Sequence, residues 1–317
     1  MTFIPQERSA QGAWLTGQFP DACGYGGAAY RLKPEDRLLN LAPDIRETAE
    51  DYFVRMHQIT WHRHVNHGLS SQVCCLNFLM PLARRPAVLA RIIGSALGIP
   101  PPEMLKVEKG PVNQNWYVGF EWIGEQNYLG EWPANGRPTR GANATSADAM
   151  VRFVHEGRVE TLLIEWKYTE SYGAPIPPSG NQTRAKRYQA LAFDPDGPIR
   201  DDLGLKLEDF FWEPFYQLLR QQMLANRMQR AREMDAERVR VLHISPGGNA
   251  RLHRVTAPAL QTFGDDAFVV FKATLVEPES FISRTTQEVF GPALAEMSGD
   301  PWADYLTGRY RFLASAP

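Results

Sequence analysis

The residues best suited to chemistry lie in Ser146–Glu170, SADAMVRFVHEGRVETLLIEWKYTE. The stretch reads as a β-hairpin turning at Glu156-Gly157. Side chains alternate between the faces of a strand, so Leu162, Ile164, Trp166 and Tyr168 form one apolar face with Ala149, Val151 and Phe153. Glu165 and Lys167 share the other face. A two-residue turn sets Asp148 directly opposite Glu165. Like charges in that position repel, and a cation between them removes the conflict. Two carboxylates can hold Mg²⁺ through oxygens at about 2.0–2.1 Å. Such an ion lowers the pKa of a bound water and polarises a phosphoryl oxygen, and a neighbouring lysine can orient that water or offset developing charge. The competing explanation is a solvated polar face, which is common on hairpins.

The elements around the hairpin follow from periodicity. Residues 1–40 are punctuated by Gly and Pro and read as irregular. From Pro43 the spacing of Ile45, Ala49, Tyr52, Phe53 and Met56 predicts a helix ending near Asn66–Gly68. A second helical stretch runs from Ser70-Ser71 through Leu97 with a break at Pro81. Trp116–Ile123, Ala147–Val154, Thr161–Thr169, Arg238–Ser245 and Phe268–Leu275 read as strands. Phe215–Met234 reads as a long helix following Pro214. This order predicts an α/β fold around a mixed sheet, divided into an N-terminal extension (1–68) and an α/β domain (69–317).

Asp148 followed by Glu165-Trp166-Lys167, closing an apolar strand, resembles the PD-(D/E)XK nuclease superfamily. The segments GLSSQVCCLNFLMPL (68–82) and EPFYQLLRQQMLANRM (213–228) are similar to those of a bacterial restriction-endonuclease-like group within it. The resemblance covers roughly residues 45–245 and implies a core of a helix, three strands, a helix and a strand. It also implies Mg²⁺-dependent hydrolysis of DNA, with Mn²⁺ able to substitute. Asp148, Glu165 and the carbonyl of Trp166 would hold the metal, and Lys167 would assist the attacking water. Ala147 stands where the motif has proline. The helix over 69–97 lacks the extra carboxylate of many relatives, with Gln72 its nearest polar candidate. Glu121, on an adjacent strand, is the expected replacement, ahead of Glu47 and Glu50. Gln221 is expected to approach the site, as glutamines on the equivalent helix do in some relatives.

DNA contacts require local positive charge. Net charge is −2 over 317 residues, which excludes a globally basic coat but not a basic cleft. Residues 213–254 carry eight arginines against four acidic residues. Arg220 and Arg227, seven apart, share a helical face, and Arg184, Lys186 and Arg187 closely follow the Glu165 strand. These, with Gln221, are the expected DNA-binding residues; the alternative is a solvated charged helix. His57, His62, His64 and His67 lack an accompanying CxxC and read as solvated or helix-end residues rather than a zinc site. Cys23, Cys74 and Cys75 suit reduced, buried thiols better than disulfides. No run reaches a membrane span and no signal peptide is visible, so a cytoplasmic protein without membrane contact is expected. Cutting both strands with one site per chain favours a homodimer, although no dimer motif is present. The leading reading is a restriction or defence endonuclease. Its rivals are a non-catalytic nucleic-acid- or protein-binding module on a nuclease-like fold and, less favoured beside a lysine, a carboxylate-pair glycoside hydrolase.

Overall fold

The central hairpin forms where the alternation of apolar residues predicts it. In the computed structural model, which describes residues 2–141 and 144–314, its register runs from His155↔Arg158 to Ala149↔Ile164. Glu156 and Gly157 both have positive φ, 49° and 77°, the backbone that a two-residue turn between twisted strands requires.

The helices, in chain order, are α1 (Phe3–Gln18), α2 (Arg46–Glu50), α3 (Ser71–Leu79), α4 (Pro86–Leu97), α5 (Asn181–Phe193), α6 (Phe215–Arg230), α7 (Ala267–Ala273), α8 (Thr286–Glu296) and α9 (Pro301–Arg309). The strands are β1 (Glu103–Leu105), β2 (Glu108–Lys109), β3 (Asn115–Trp116), β4 (Gly119–Trp122), β5 (Ala147–His155), β6 (Arg158–Trp166), β7 (Arg238–Ser245) and β8 (Phe281–Thr285). The main sheet has the order β1-β5-β6-β7-β8, and β4 also pairs with β5. Pairing is antiparallel from β1 and β4 through β6 and parallel from β6 through β8. The molecule is therefore a mixed α/β fold with helices on both sheet faces.

Both faces of the hairpin are buried, which is why β6 reads as a nearly continuous apolar run. Leu162, Ile164 and Trp166 join α3, α4, α8 and residues 41–69 in one core. Leu163 and Met150 join α5, α6 and α7 in the other. Residues 41–65 share a core with residues 289–312, so packing is continuous across position 68.

Five segments depart from the sequence expectations, the first being Trp116–Ile123, which is not one strand but splits between β3 in the small sheet and β4 in the main one. Residues 3–18 are helical rather than irregular, and the sequence carries no sign of it because the buried face of α1 is Glu7, Gln11, Gly12 and Leu15, a mostly polar stripe with no hydrophobic period. The helix predicted from Pro43 stops at Met56, after short 3-10, α and π segments. Phe268–Leu275 is not a strand: Ala267–Ala273 is a helix whose first amides are capped by Asp266. A short apolar run does not separate strand from helix by pattern alone, and here the N-cap decides. The strand Phe281–Thr285 carries a mixed sequence, FISRT, without clean alternation. Among the described residues no helix is long and apolar enough to cross a membrane.

Candidate active site

Three carboxylates come together on neighbouring strands. Phe120↔Ala149 and Trp122↔Ala147 bracket Glu121 and Asp148, and Asp148 and Glu165 follow directly on the Ala149↔Ile164 pair. The same row continues through Glu165↔His243 and His243↔Ser283. Glu121 has φ 49°, a left-handed backbone that costs a non-glycine residue about 1–3 kcal/mol and is often stored at functional sites. That twist turns Phe120 into one core and Trp122 into the other.

Each acid is held. The Asp148 Oδ2 accepts the Trp166 amide at 2.7 Å. Glu165, 1% exposed, accepts Gln217 Nε2 at 2.6 Å and Gln221 Nε2 at 2.9 Å, and Lys167 Nζ lies 2.5 Å from its Oε1. Gln217 and Gln221, one helical turn apart on α6, thus grip both oxygens of Glu165. Gln221 also donates to the Ser146 carbonyl. Glu121 accepts Gln72 Nε2 at 2.8 Å and the Ser146 hydroxyl at 3.1 Å, with His62 Nε2 at 3.5 Å.

Burial dominates the electrostatics. Loss of water pushes Asp148 and Glu165 up to about 7, against the opposing pull of Lys167. Glu121 is raised for the same reason despite its hydrogen bonds. Lys167 shows the reverse balance: burial disfavours its charge, but the field of Glu165, Tyr172, Asp148 and Glu170 holds its pKa well above the usual lysine range. Three acids and one lysine form a buried cluster with excess negative charge, an environment that a hard cation with oxygen ligands relieves. The donor set fits Mg²⁺ or Mn²⁺: carboxylates on adjacent strands and a main-chain carbonyl at Trp166. No group of three or more His, Cys, Asp or Glu side chains converges to hold an ion among the described residues. The fit therefore rests on Asp148, Glu165 and that carbonyl, with Glu121 engaged by Gln72 and Ser146.

The cluster opens into a cleft of about 530 Å³ whose lining includes Asp148, Glu121, Lys167, Glu170, Gln217, Arg220 and Gln221. A larger cavity, of about 700 Å³, lies between α1 and residues 248–251 and holds none of the three clustered acids. The cleft is therefore lined by Asp148, Trp166, Lys167, Glu121, Arg220 and Gln221 from the sequence-derived set, with Glu165 buried behind Gln217 and Gln221.

The remaining basic residues lie elsewhere. Arg184 is spent on the start of α5, donating to the Pro177 and Ser179 carbonyls and Asn181 Oδ1. Lys186 is exposed and Arg187 sits over the Tyr188 ring; neither lines the cleft. Arg227 lies two helical turns beyond Arg220, near Asp196. Nearness in sequence to Glu165 does not place these groups because α5 docks through Tyr188 and Ala192, with its cations outward or self-engaged. Sequence reasoning missed Gln217, legible as a four-residue repeat with Gln221, and Glu170, which accepts the Ser71 hydroxyl and the Tyr168 amide. It also missed the cleft-lining role of His62, His64 and His67, which lie beyond the end of the α2 segment.

Pairing with a buried carboxylate changes what removal of the half-buried Lys167 does. On a solvated polar face, truncation costs little, but here it strips the cation from a buried carboxylate. Lys167→Met is expected to cost about 3 kcal/mol at pH 8, the range for breaking a buried pair. At pH 6 the loss shrinks, because Glu165 then carries a proton. Denaturant unfolding at the two pH values measures the difference, and an equal loss at both removes the ion pair as its cause.

No curated protein and no solved structure matches this chain. A family model described as "Restriction Endonuclease associating with ARP" matches residues 8–311, nearly the whole length. With that match spanning both cores and the carboxylate cleft, the chain belongs to the family of restriction endonucleases associating with ARP.

Proposed function

We propose that the protein is a metal-dependent endodeoxyribonuclease that hydrolyses DNA phosphodiester bonds, acting in restriction or defence, with Mg²⁺ as its cofactor and Mn²⁺ able to replace it. The observation that carries this reading is the cross-strand cluster of Asp148, Glu165 and Lys167 at a cleft, in a chain whose family is one of restriction endonucleases. The chain order supports it: α3 and α4, the antiparallel strands β4 to β6, α6 and then β7 parallel to β6 follow the helix, three strands, helix and strand of a restriction-endonuclease-like core.

Asp148, Glu165 and the Trp166 carbonyl would hold the metal. When bound, the metal lowers the pKa of a coordinated water and polarises a phosphoryl oxygen. Glu121 adds negative charge beside it. Lys167, kept protonated by the surrounding carboxylates, donates to the attacking water or to the charge growing on the phosphate. Gln217 and Gln221 fix the rotamer of Glu165, so its oxygens need no reorganisation as the reaction proceeds. Cutting both strands would take two copies of the chain. Plasmid nicking in Mg²⁺ against excess EDTA tests the reading: nicked product with Mg²⁺ or Mn²⁺ and none in EDTA is expected, and robust cleavage in EDTA overturns the metal assignment.

The raised carboxyl groups predict how metal and pH act together. Between about pH 4 and 7 the folded metal-free protein holds protons on Asp148 and Glu165 that the unfolded chain has released. Its stability therefore falls as pH rises through that window. Protons and the metal compete for the same oxygens, so stabilisation by Mg²⁺ grows with pH. At a hundredfold excess over Kd the gain is about 2.7 kcal/mol, expected at pH 8 and largely absent at pH 5. Thermal unfolding with Mg²⁺ or EDTA at both pH values checks this, and a pH-independent shift counts against these two ligands.

A further inference from the structure

The N-terminal segment supplies part of the lining of the carboxylate cleft. Ile4 and Arg8 from α1, then Arg31, His64 and His67, border the same space as Asp148, Lys167 and Arg220. Arg8 and Arg31 converge on Tyr30, their guanidinium carbons 5.4 and 5.9 Å from its ring centre. Arg31 Nε donates to His67 Nε2 at 2.7 Å, and the Tyr30 and His67 rings meet edge to face at 4.8 Å.

This wall is cationic, facing the carboxylates Glu121, Asp148 and Glu170 that line the same cleft. Among the described residues, neither Arg8 nor Arg31 forms an ion pair with a carboxylate, and neither does Arg220, whose Nε is buried without a hydrogen-bond partner. Burial first, and then the positive charge of Arg31, His64 and Arg8, push His67 down to about 4, so it stays neutral beside the arginines. Guanidinium groups kept apart from carboxylates in a cleft retain their full capacity for an anionic ligand, and their planar donor fork matches phosphate oxygens.

The remaining lining narrows the ligand. The carboxylates at the floor repel a ligand whose charge is concentrated beside them. A phosphodiester chain spreads one charge over each nucleotide, so one phosphate can sit at the floor while neighbours meet cations farther along the wall. We propose that Arg8 and Arg31 form a phosphate-binding wall that grips the nucleic-acid backbone flanking the phosphodiester at Asp148 and Glu165, making the N-terminal segment part of the substrate site. The inference rests on the nuclease reading and extends it to a segment outside the resembled core.

The test is equilibrium binding of labelled duplex and single-stranded oligonucleotides in Ca²⁺, in place of Mg²⁺, across a salt series. Each phosphate that the protein no longer neutralises lowers the slope of log K against log salt by about 0.9 on duplex and about 0.7 on a single strand. Arg8→Gln is expected to lower it by about one such step and the double variant Arg8→Gln/Arg31→Gln by about two, with weaker binding to every sequence tested. Arg8 is exposed, so the single variant keeps its unfolding midpoint and still reads the wall if loss of the Arg31–His67 bond disturbs the double variant. Lys109→Glu, exposed on β2 and outside the cleft, is expected to bind like the unaltered protein. Unchanged slopes in the arginine variants, or a large loss confined to Lys109→Glu, overturn the inference and leave the nuclease reading standing. Failure of the unaltered protein to bind either oligonucleotide overturns both. A slope change on duplex alone or on the single strand alone supports the wall and identifies the form of backbone that it holds.

Discussion

Asp148→Asn is expected to abolish Mg²⁺-dependent nicking while making the metal-free protein more stable. Loss of one metal-holding carboxylate removes several kcal/mol of charge stabilisation in the transition state, a fall of about 10³-fold or more in rate. The stability effect has the opposite sign. Asp148 lies beside Glu121 and Glu165, and burial raises its pKa to about 7, so at pH 8 its charge works against the fold. An amide occupies the same volume, keeps an oxygen for the Trp166 amide and carries no charge. The unfolding midpoint in EDTA at pH 8 should therefore rise by a few degrees, the scale of about 1–3 kcal/mol in a chain of this size. Glu165→Gln is less clean, because Lys167 would then face a neutral amide at 2.5 Å. Retained nicking by Asp148→Asn removes Asp148 from the chemistry. Loss of nicking with a lower midpoint shows instead that its role is to support the fold.

This opposition between stability and activity explains which parts of the site were legible in the sequence. The hairpin register follows from local chemistry: apolar alternation on both strands and a turn that only positive φ can make. Once that register is known, the positions of Asp148 and Glu165 follow. The face they share was harder to read, because a polar pair beside Leu163 looks like a solvated surface, whereas α6 covers it with Gln217 and Gln221. Gln221 was expected only through the family resemblance. Of the basic residues expected to meet DNA, Arg220 lines the cleft and the three on α5 do not. Arg184, Lys186 and Arg187 are close to Glu165 in sequence, but their directions are set by how α5 docks. Arg8 and Arg31 are more than 110 residues from Asp148, and α1 buries a polar stripe that gives no hydrophobic signal. Neighbours so far apart in sequence are brought together by packing at the far end of the chain, which no local period reports.

Arg309 is where that packing concentrates, and Arg309→Leu is the substitution expected to cost the most stability. Its side chain is fully buried. It donates to Gln11 Oε1 at 3.0 Å, to the Asn40 carbonyl and Oδ1 at 2.5 Å each, and to the Tyr305 hydroxyl at 2.7 Å. Its guanidinium carbon lies 4.7 Å from the Trp14 ring centre. One residue of α9 thus ties together α1, the Asn40 turn and its own helix, and no carboxylate pairs with it among the described residues. Burial disfavours its charge, yet the net shift is upward through Tyr305 and Tyr310, so a charged guanidinium is the stable form. Leucine fills part of the volume but leaves at least two buried acceptors without donors, each costing about 1–3 kcal/mol. A total near 4 kcal/mol corresponds to a fall of about 6 °C in the unfolding midpoint for a chain of this length. The loss should be largest where the ties were made, so hydrogen exchange across Phe3–Gln18 is expected to accelerate more than exchange in β5 and β6. If α1 loosens first, Arg8 leaves the cleft, and binding of DNA weakens before the carboxylate cluster is disturbed. Uniform acceleration across the sheet instead shows that Arg309 stabilises the whole fold rather than the seat of the N-terminal wall.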